Sequence, residues 1–317
     1  MGGAEATRVR RHTGQSTLAV AIAALLLGAG AGVAAASAVK PRAYDSPEAA
    51  VQALVDAVRA RNVTVLIGIL GSGSRPLISS GDEVADRSVD ARFISAYDEA
   101  HELVKQGHDR LILQVGKDGW PMPIPLVKDG AGWHFDVAAG QQEVLNRRIG
   151  RNELSAIQVC LAYVDAQREY WQRNPEGDSL LHYARRIGST TGKRDGLYWP
   201  VKAGEVASPL GELVVQAQRE GYRRAAGTPT PYHGYYYRVL SSQGPAAPGG
   251  AYDYLVRGQM VGGFALVAYP AQWAVSGVMT FLVNHDGIVY EKNLGPDTAA
   301  VAGAMRQFNP DASWKKV

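Results

Sequence analysis

The stretch NELSAIQVCLAYVDAQREYWQ, residues 152–172, carries the strongest helical pattern in the chain. Its apolar residues recur every three or four positions, which aligns them along one side of a helix. They are Leu154, Ile157, Leu161, Val164 and Trp171. Asn152 is a residue type that caps helix N-termini, so we expect the helix to begin there. This row of apolar side chains, the seam of the helix, must pack against another layer of the protein.

The residues after this helix are rich in strand patterns. The predicted strands are 232–240, 252–257, 264–269, 278–284 and 288–293. Asp286-Gly287 predicts a hairpin between the last two, because both residue types tolerate the positive φ of a two-residue turn. We also expect a short helix near 211–218 and a closing helix over 298–308. Residues 150–317 are therefore predicted to form a domain in which a long helix packs on an antiparallel sheet.

The part before the long helix predicts a second α+β domain, over residues 44–140. Ser46 and Asn62 are cap residues before two helical patterns, and a third helix is expected from about 88 to 107. Strand patterns follow at 111–115, 122–127 and 133–137, separated by Asp-Gly turns. Helices before an antiparallel meander resemble the cone-shaped fold of the nuclear-transport-factor-like and cystatin-like group, which implies a pocket between sheet and helices.

Residues 1–38 have the three-part layout of a secretory signal peptide. Arg8, Arg10 and Arg11 make a positive start, an uncharged stretch follows over 18–33, and the small residues AAASA end at Ala38. This layout predicts export to the periplasm or another extracytoplasmic compartment. The alternative is an uncleaved anchor, because a span takes ~20 residues. A membrane contact is expected only through this segment, and only if it is not cleaved.

Composition and charge exclude several classes of protein. Hydrophobic residues make up 46% of the 317 residues and charged residues 20%, which excludes a disordered chain. Lys and Arg number 33 against 30 Asp and Glu, and most of the surplus lies in the first dozen residues. No basic stripe remains to neutralise phosphates, so we expect no nucleic-acid partner. Cys160 is the sole cysteine, so the chain can form no internal disulfide.

The sequence contains no complete catalytic motif. The seven histidines form no H-E-x-x-H or H-x-H pair, and neither G-x-S-x-G nor a phosphate-binding loop is present. We therefore predict no metal site and no cofactor, and we favour a non-enzymatic protein. Cys160 is interpreted as a small apolar helix residue rather than a nucleophile. Asp165 and Glu169 are interpreted as part of a solvated helix face.

Aromatic residues are concentrated between 232 and 237. Two interpretations stay open: a packed strand, whose cross-strand rings stabilise the sheet, or a stacking platform for a glycan, a peptidoglycan fragment or a partner protein. The platform hypothesis assigns binding to Trp199, Tyr232, His233, Tyr235 and Tyr237.

Five blocks together resemble a family of bacterial exported proteins known as domain of unknown function, family 2950. The blocks are GRNEL (150–154), DGLYWP (195–200), YHGYYY (232–237), GGFALVA (262–268) and SGVMTF (276–281). The resemblance spans the chain after the export segment and implies an export signal but no activity. The later half, ending in SGVMTFLVNHDGIVYEKNLG (276–295), also looks like the globular part of type IV pilins. The helix at Asn152 lacks a prepilin cleavage site before it, so filament formation does not follow.

These observations predict an exported envelope protein of two α+β domains that acts by binding or assembly, with an envelope protein or a glycan as partner. One alternative is an envelope hydrolase whose residues meet only in three dimensions, with Asp195, His233 and His285 as candidates. Another is a small-ligand pocket in the first domain, lined by Trp120 and Trp133. A structure distinguishes these three hypotheses, because a catalytic or binding site needs polar residues that share one concave surface.

Overall fold

A computed structural model describes residues 39–223 and 229–317, so the predicted export segment 1–38 lies outside the described residues. The fold is α+β, as predicted. The helices are α1 (Pro47–Arg59), α2 (Val63–Leu70), α3 (Arg75–Ile78), α4 (Glu83–Glu99), α5 (Val137–Arg173), α6 (Gly211–Glu220) and α7 (Thr298–Ala304). The strands are β1 (His101–Lys105), β2 (Arg110–Val115), β3 (Trp120–Pro121), β4 (Leu126–Asp129), β5 (Gly132–Phe135), β6 (Tyr235–Leu240), β7 (Ser242–Gln243), β8 (Tyr252–Asp253), β9 (Leu255–Val256), β10 (Gln259–Met260), β11 (Ala265–Pro270), β12 (Met279–Asn284), β13 (Val289–Asn293), β14 (Gln307–Phe308) and β15 (Lys315–Lys316). Over these ranges, no helix is both long and apolar enough to span a bilayer.

The first helices begin where their caps predict. Ser46 accepts a hydrogen bond from the Ala49 N–H, and Asn62 accepts one from the Val65 N–H. The third predicted helix was wrong at both ends: α4 begins at Glu83, with Asp82 as its cap, and ends at Glu99. The segment after it forms β1, because all five of its residues pair with residues 111–115 of β2. Tertiary pairing here overrides a helical pattern.

The first sheet is antiparallel and has the order β1-β2-β4-β5, with β3 paired to β2. Its strands around residue 122 are shorter than predicted, since Pro121, Pro123 and Pro125 lack the N–H that a ladder needs. The sheet and the first helices enclose one hydrophobic core, which contains Leu54, Leu113, Leu126 and Phe135.

Helix α5 is one continuous helix of 37 residues, so the helix predicted to begin at Asn152 in fact begins 15 residues earlier, at Val137. Asp136 caps it by accepting from the Ala139 N–H, and Asn152 lies in its middle rather than at its start. The predicted domain boundary, between 140 and 150, therefore falls inside a helix. The first turn of α5 contributes Val137 to the first core.

The later turns of α5 pack on a second antiparallel sheet of order β15-β13-β12-β11-β6. The seam that packs differs from the predicted one: Leu154 is 67% exposed, whereas Ala156 and Cys160 are buried. Small side chains let the helix backbone approach the strands closely. The second core includes the buried side chains Tyr163, Tyr170, Tyr235, Phe264 and Phe281.

The second half also departs from the sequence pattern at several places. The predicted hairpin at Asp286-Gly287 joins β12 to β13, with Gly287 at φ 80°. The predicted strand 252–257 is split into the short strands β8 and β9. Helix α7 ends at Ala304, because the next residues form β14 against β7.

Candidate functional site

The predicted aromatic platform is not one continuous surface. Trp199 is 7% exposed and Tyr235 is fully buried, because both rings pack in the second core. The ring of Tyr237 is half-buried in the same core, and burial raises the pKa of its hydroxyl. Of the five residues, Tyr232 and His233 lie outside that core. Tyr235 therefore has no ring face available to a glycan, and only a small part of Trp199 is accessible. The burial of these two rings does not support the platform hypothesis.

Tyr232 and His233 form a tight turn before β6. His233 has φ 49° and Gly234 has φ 75°, the positive pair of a type I′ turn. Tyr232 and Tyr235 exchange backbone hydrogen bonds across it, of 2.9 and 3.2 Å. A Cβ on Gly234 would lie 2.5 Å from Nδ2 of Asn152, so the turn is seated directly on α5.

The Asp82 carboxylate holds this turn against the start of α4. Asp82 is 1% exposed, and its Oδ2 accepts from the Tyr222 hydroxyl at 2.9 Å and the Gly234 N–H at 2.8 Å. Its Oδ1 accepts from the Ala85 N–H. Burial and the nearby Asp82 charge raise the pKa of Tyr222, so its hydroxyl stays protonated and accepts the His233 N–H at 3.2 Å.

A cleft of about 230 Å³ opens between α4, α5 and the turn. Its volume is below the ~300–1,000 Å³ that drug-sized ligands fill. Its charged lining residues are Asp86, Arg92, Arg148, Arg151 and Glu220, and His233 lines it as well. A wider and more open groove of about 660 Å³ runs along α6, where Trp199 contributes to the wall. The smaller cleft has the denser set of charges, so we take it as the candidate site.

The acidic groups of the cleft are engaged by the protein itself. The Asp86 carboxylate accepts from the Ser80 N–H at 2.9 Å and the Ser80 hydroxyl at 2.7 Å. Burial nevertheless raises the pKa of Asp86, because it penalises the charged form. Glu220 lies 3.2 Å from Nε2 of His233.

The arginines of the cleft are less completely matched. Arg148 is 9% exposed and donates to the carbonyls of Pro76 and Leu77 at 2.6 and 2.5 Å. Burial, followed by the nearby charge of Arg92, lowers the pKa of Arg151. Across residues 39–223 and 229–317, neither Arg92 nor Arg151 forms an ion pair with a carboxylate. The cleft thus has two neighbouring cations that repel each other.

The three residues of the hydrolase alternative are not brought together. Asp195 accepts from the N–H and the hydroxyl of Thr190, while the Tyr252 hydroxyl lies 3.4 Å from Nε2 of His285. Only His233 of the three lines the cleft. Burial raises the pKa of Cys160 to about 12, so its thiol stays neutral, as a core residue would.

The predicted tryptophan pocket has little support from the contacts of its two residues. Trp120 is 46% exposed, with the Arg147 guanidinium 5.2 Å above its ring. Trp133 lies on β5 with Lys128 over its ring. Neither side chain lines the cleft or the groove along α6.

One group of side chains has the donors that a metal ion needs. Single ligand atoms of Glu176, Asp178 and His182 all lie within 4.8 Å of one another. The sequence did not predict this group, since E-x-D-x-x-x-H is not one of the metal-binding motifs with a known spacing. Its only signal was three ligand types within one short loop after α5.

Comparison with known proteins identifies the family. A family model described as "Protein of unknown function (DUF2950)" matches residues 41–317. The chain belongs to this family. Its description gives no activity, so the function has to be argued from the site. Searches of curated proteins and of solved structures found no match, and the pilin resemblance is accordingly not confirmed.

Proposed function

We propose that this protein is exported to the bacterial envelope and acts there as a binding module, and that its cleft takes a carboxylate of a cell-wall fragment. The pattern of residues 1–38 supports export. The observation that carries the binding proposal is the pair Arg92 and Arg151, which share the cleft without a carboxylate partner in the described ranges.

A bound anion would relieve the repulsion between the two guanidinium groups. Arginine presents a planar fork of donors that matches a carboxylate or a phosphate. The acids Asp86 and Glu220 also line the cleft, which disfavours a doubly charged phosphate more than a singly charged carboxylate. The small volume suits one acidic group at the end of a longer chain. Peptidoglycan fragments have such groups, which fits the envelope partner that the sequence predicts.

We expect N-acetylmuramic acid to bind and N-acetylglucosamine to bind much more weakly, because the two sugars differ by a carboxylate-bearing group. Arg151→Gln should weaken binding about 10- to 150-fold, which corresponds to ~1.5–3 kcal/mol for a hydrogen bond to a charged group. Isothermal titration calorimetry measures both effects.

Arg147→Gln is the matched control, since Arg147 lies one turn earlier on α5 and pairs with Glu143 outside the cleft. It should bind like the unaltered protein. Equal binding of the two sugars, or unaltered binding by Arg151→Gln, would contradict the proposal. Inorganic phosphate binding more tightly than N-acetylmuramic acid would contradict the carboxylate assignment.

Cell fractionation tests the export half of the proposal separately. We expect a chain shortened by the first 38 residues, or an anchored full-length chain, in the envelope fraction. Recovery of the full-length protein among cytosolic enzymes would refute export.

A further inference from the structure

Outside the cleft, the loop after α5 brings together Glu176, Asp178 and His182. Neighbouring side chains hold both carboxylates in place. The Tyr170 hydroxyl lies 3.0 Å from Glu176 Oε2 and 2.9 Å from the Arg194 carbonyl, so these two acceptors share its one proton. Gln259 donates to Asp178 Oδ2 at 2.9 Å. Such outer contacts are typical of metal ligands, because they fix the orientation of each ligand before the ion binds.

The ring of His182 directs one nitrogen at both carboxylates. This side chain is 8% exposed, and its Nδ1 lies 3.1 Å from the carbonyl oxygen of Tyr183. A carbonyl only accepts, so Nδ1 has the proton of that contact and Nε2 is the ring atom directed at the carboxylates. Nε2 lies 2.9 Å from Asp178 Oδ2 and 3.6 Å from Glu176 Oε2. The ring nitrogen and two carboxylate oxygens thus converge on one point, which a proton on Nε2 or a metal ion can occupy.

The spacing of these atoms fits a zinc ion. Tetrahedral zinc bonds of ~2.0–2.2 Å put neighbouring ligand atoms ~3.4 Å apart, and the two distances from Nε2 bracket this value. An imidazole ligand favours zinc over calcium or magnesium, which prefer oxygen. A histidine Nδ1–H on a backbone carbonyl, with Nε2 directed at the metal, is the usual arrangement of such a ligand.

We propose that Glu176, Asp178 and His182 bind a zinc ion, with a fourth position open to water. The ion would tie the loop after α5 to β10 through the Gln259 contact. A chain with one cysteine has no internal disulfide to fix such a loop, and a metal ion supplies an equivalent cross-link. This proposal uses residues other than those of the cleft, so it stands or falls independently of the proposed function.

The test is titration of the full chain with zinc chloride, followed by calorimetry. We expect one zinc ion per chain at this site and at least a 100-fold weaker affinity in His182→Gln, because loss of an outer contact alone costs 10- to 100-fold. His285→Gln is the matched control, since His285 also lies beside an aspartate, Asp286, at 3.9 Å. It should bind zinc like the unaltered chain. Calcium and magnesium should bind far more weakly than zinc.

Two further measurements keep the proposal open to refutation if His182→Gln fails to fold. Glu176 is exposed, so Glu176→Gln should fold and still lose at least 10-fold in zinc affinity. Nitrogen NMR of the unaltered chain should show the Nε2 resonance of His182 moving when zinc is added. The proposal is overturned if the His182 ring is protonated on both nitrogens at pH 7 and its resonances do not respond to zinc. A proton on Nε2, and not a metal ion, would then lie between the ring and the two carboxylates. Equal zinc affinity in all variants would overturn it too.

Discussion

Tyr235→Ala is expected to lower the free energy of unfolding by about 3–5 kcal/mol, the range for truncating a large buried ring. The ring is fully buried and lies 5.8 Å from that of Phe281. Its hydroxyl donates to the Met279 carbonyl at 2.9 Å, which would be left without this donor. A Cβ on Gly277 would come within 2.1 Å of the same hydroxyl, so the ring lies flat against that glycine. Urea denaturation measures the change.

Tyr236→Ala is the matched control, because the neighbouring ring is half-buried and pairs with Tyr269 on the other face of β6. It should lower stability by less than about 2 kcal/mol, in line with cross-strand pairs of ~0.2–1 kcal/mol plus partial burial. Tyr235→Phe should lose only about 0.5–1.5 kcal/mol, which remains measurable if the alanine variant does not fold. Equal losses for Tyr235→Ala and Tyr236→Ala would contradict a core role for Tyr235. If Tyr235→Ala also loses partner binding, the cause would be unfolding of the protein and not the loss of an aromatic binding surface.

Features that depend on neighbouring residues, such as helix caps and tight turns, were predictable from the sequence. Ser46 and Asn62 cap helices as expected, because a short polar side chain satisfies a free N–H at a helix start. The Asp286-Gly287 turn forms as expected, because its geometry depends on residues that are adjacent in the chain. The α+β class follows from such local signals.

Features that depend on distant contacts were not predictable in the same way. Asn152 looks like a cap, but its amide instead donates to the Ser276 carbonyl at 2.9 Å, 124 positions away. Asp136, just before Val137, takes the cap position. The helix therefore continues through the predicted boundary, because its first turns pack in one core and its later turns pack in the other.

In the candidate site, too, residues with a local signal were predicted and residues brought together by distant contacts were not. His233 was named from its aromatic surroundings, and it does line the cleft. Arg92, Arg148 and Arg151 were missed, because they come from two helices that no local pattern brings together. Burial decided the rest: a tyrosine in a strand has the same alternation whether its ring faces a core or solvent, so Tyr235 could not be told from an exposed ring.

Asp82→Ala is the second change with a large expected effect, about 3–4 kcal/mol of unfolding free energy. Removing the carboxylate costs α4 its cap, ~0.5–2 kcal/mol. It also leaves two buried donors without their acceptor, the Tyr222 hydroxyl and the Gly234 N–H, at ~1–3 kcal/mol each. The Tyr222 side chain can shift and regain part of its hydrogen bonding, so the total loss of unfolding free energy stays near the lower end of the sum of these costs. Thermal and urea unfolding should agree on the loss.

The effect of Asp82→Ala should reach the cleft as well as the overall stability, because this carboxylate joins the start of α4 to the turn that has His233. Glu83→Ala is the matched control: the adjacent side chain is 89% exposed and should change stability by less than about 0.5 kcal/mol. Asp82→Asn keeps one acceptor oxygen and should fall between the two, which gives a measurable variant if the alanine protein does not fold. If Asp82→Ala is as stable as Glu83→Ala, the carboxylate does not hold the turn to the helix, and His233 must be positioned by Asn152 and the other contacts of α5.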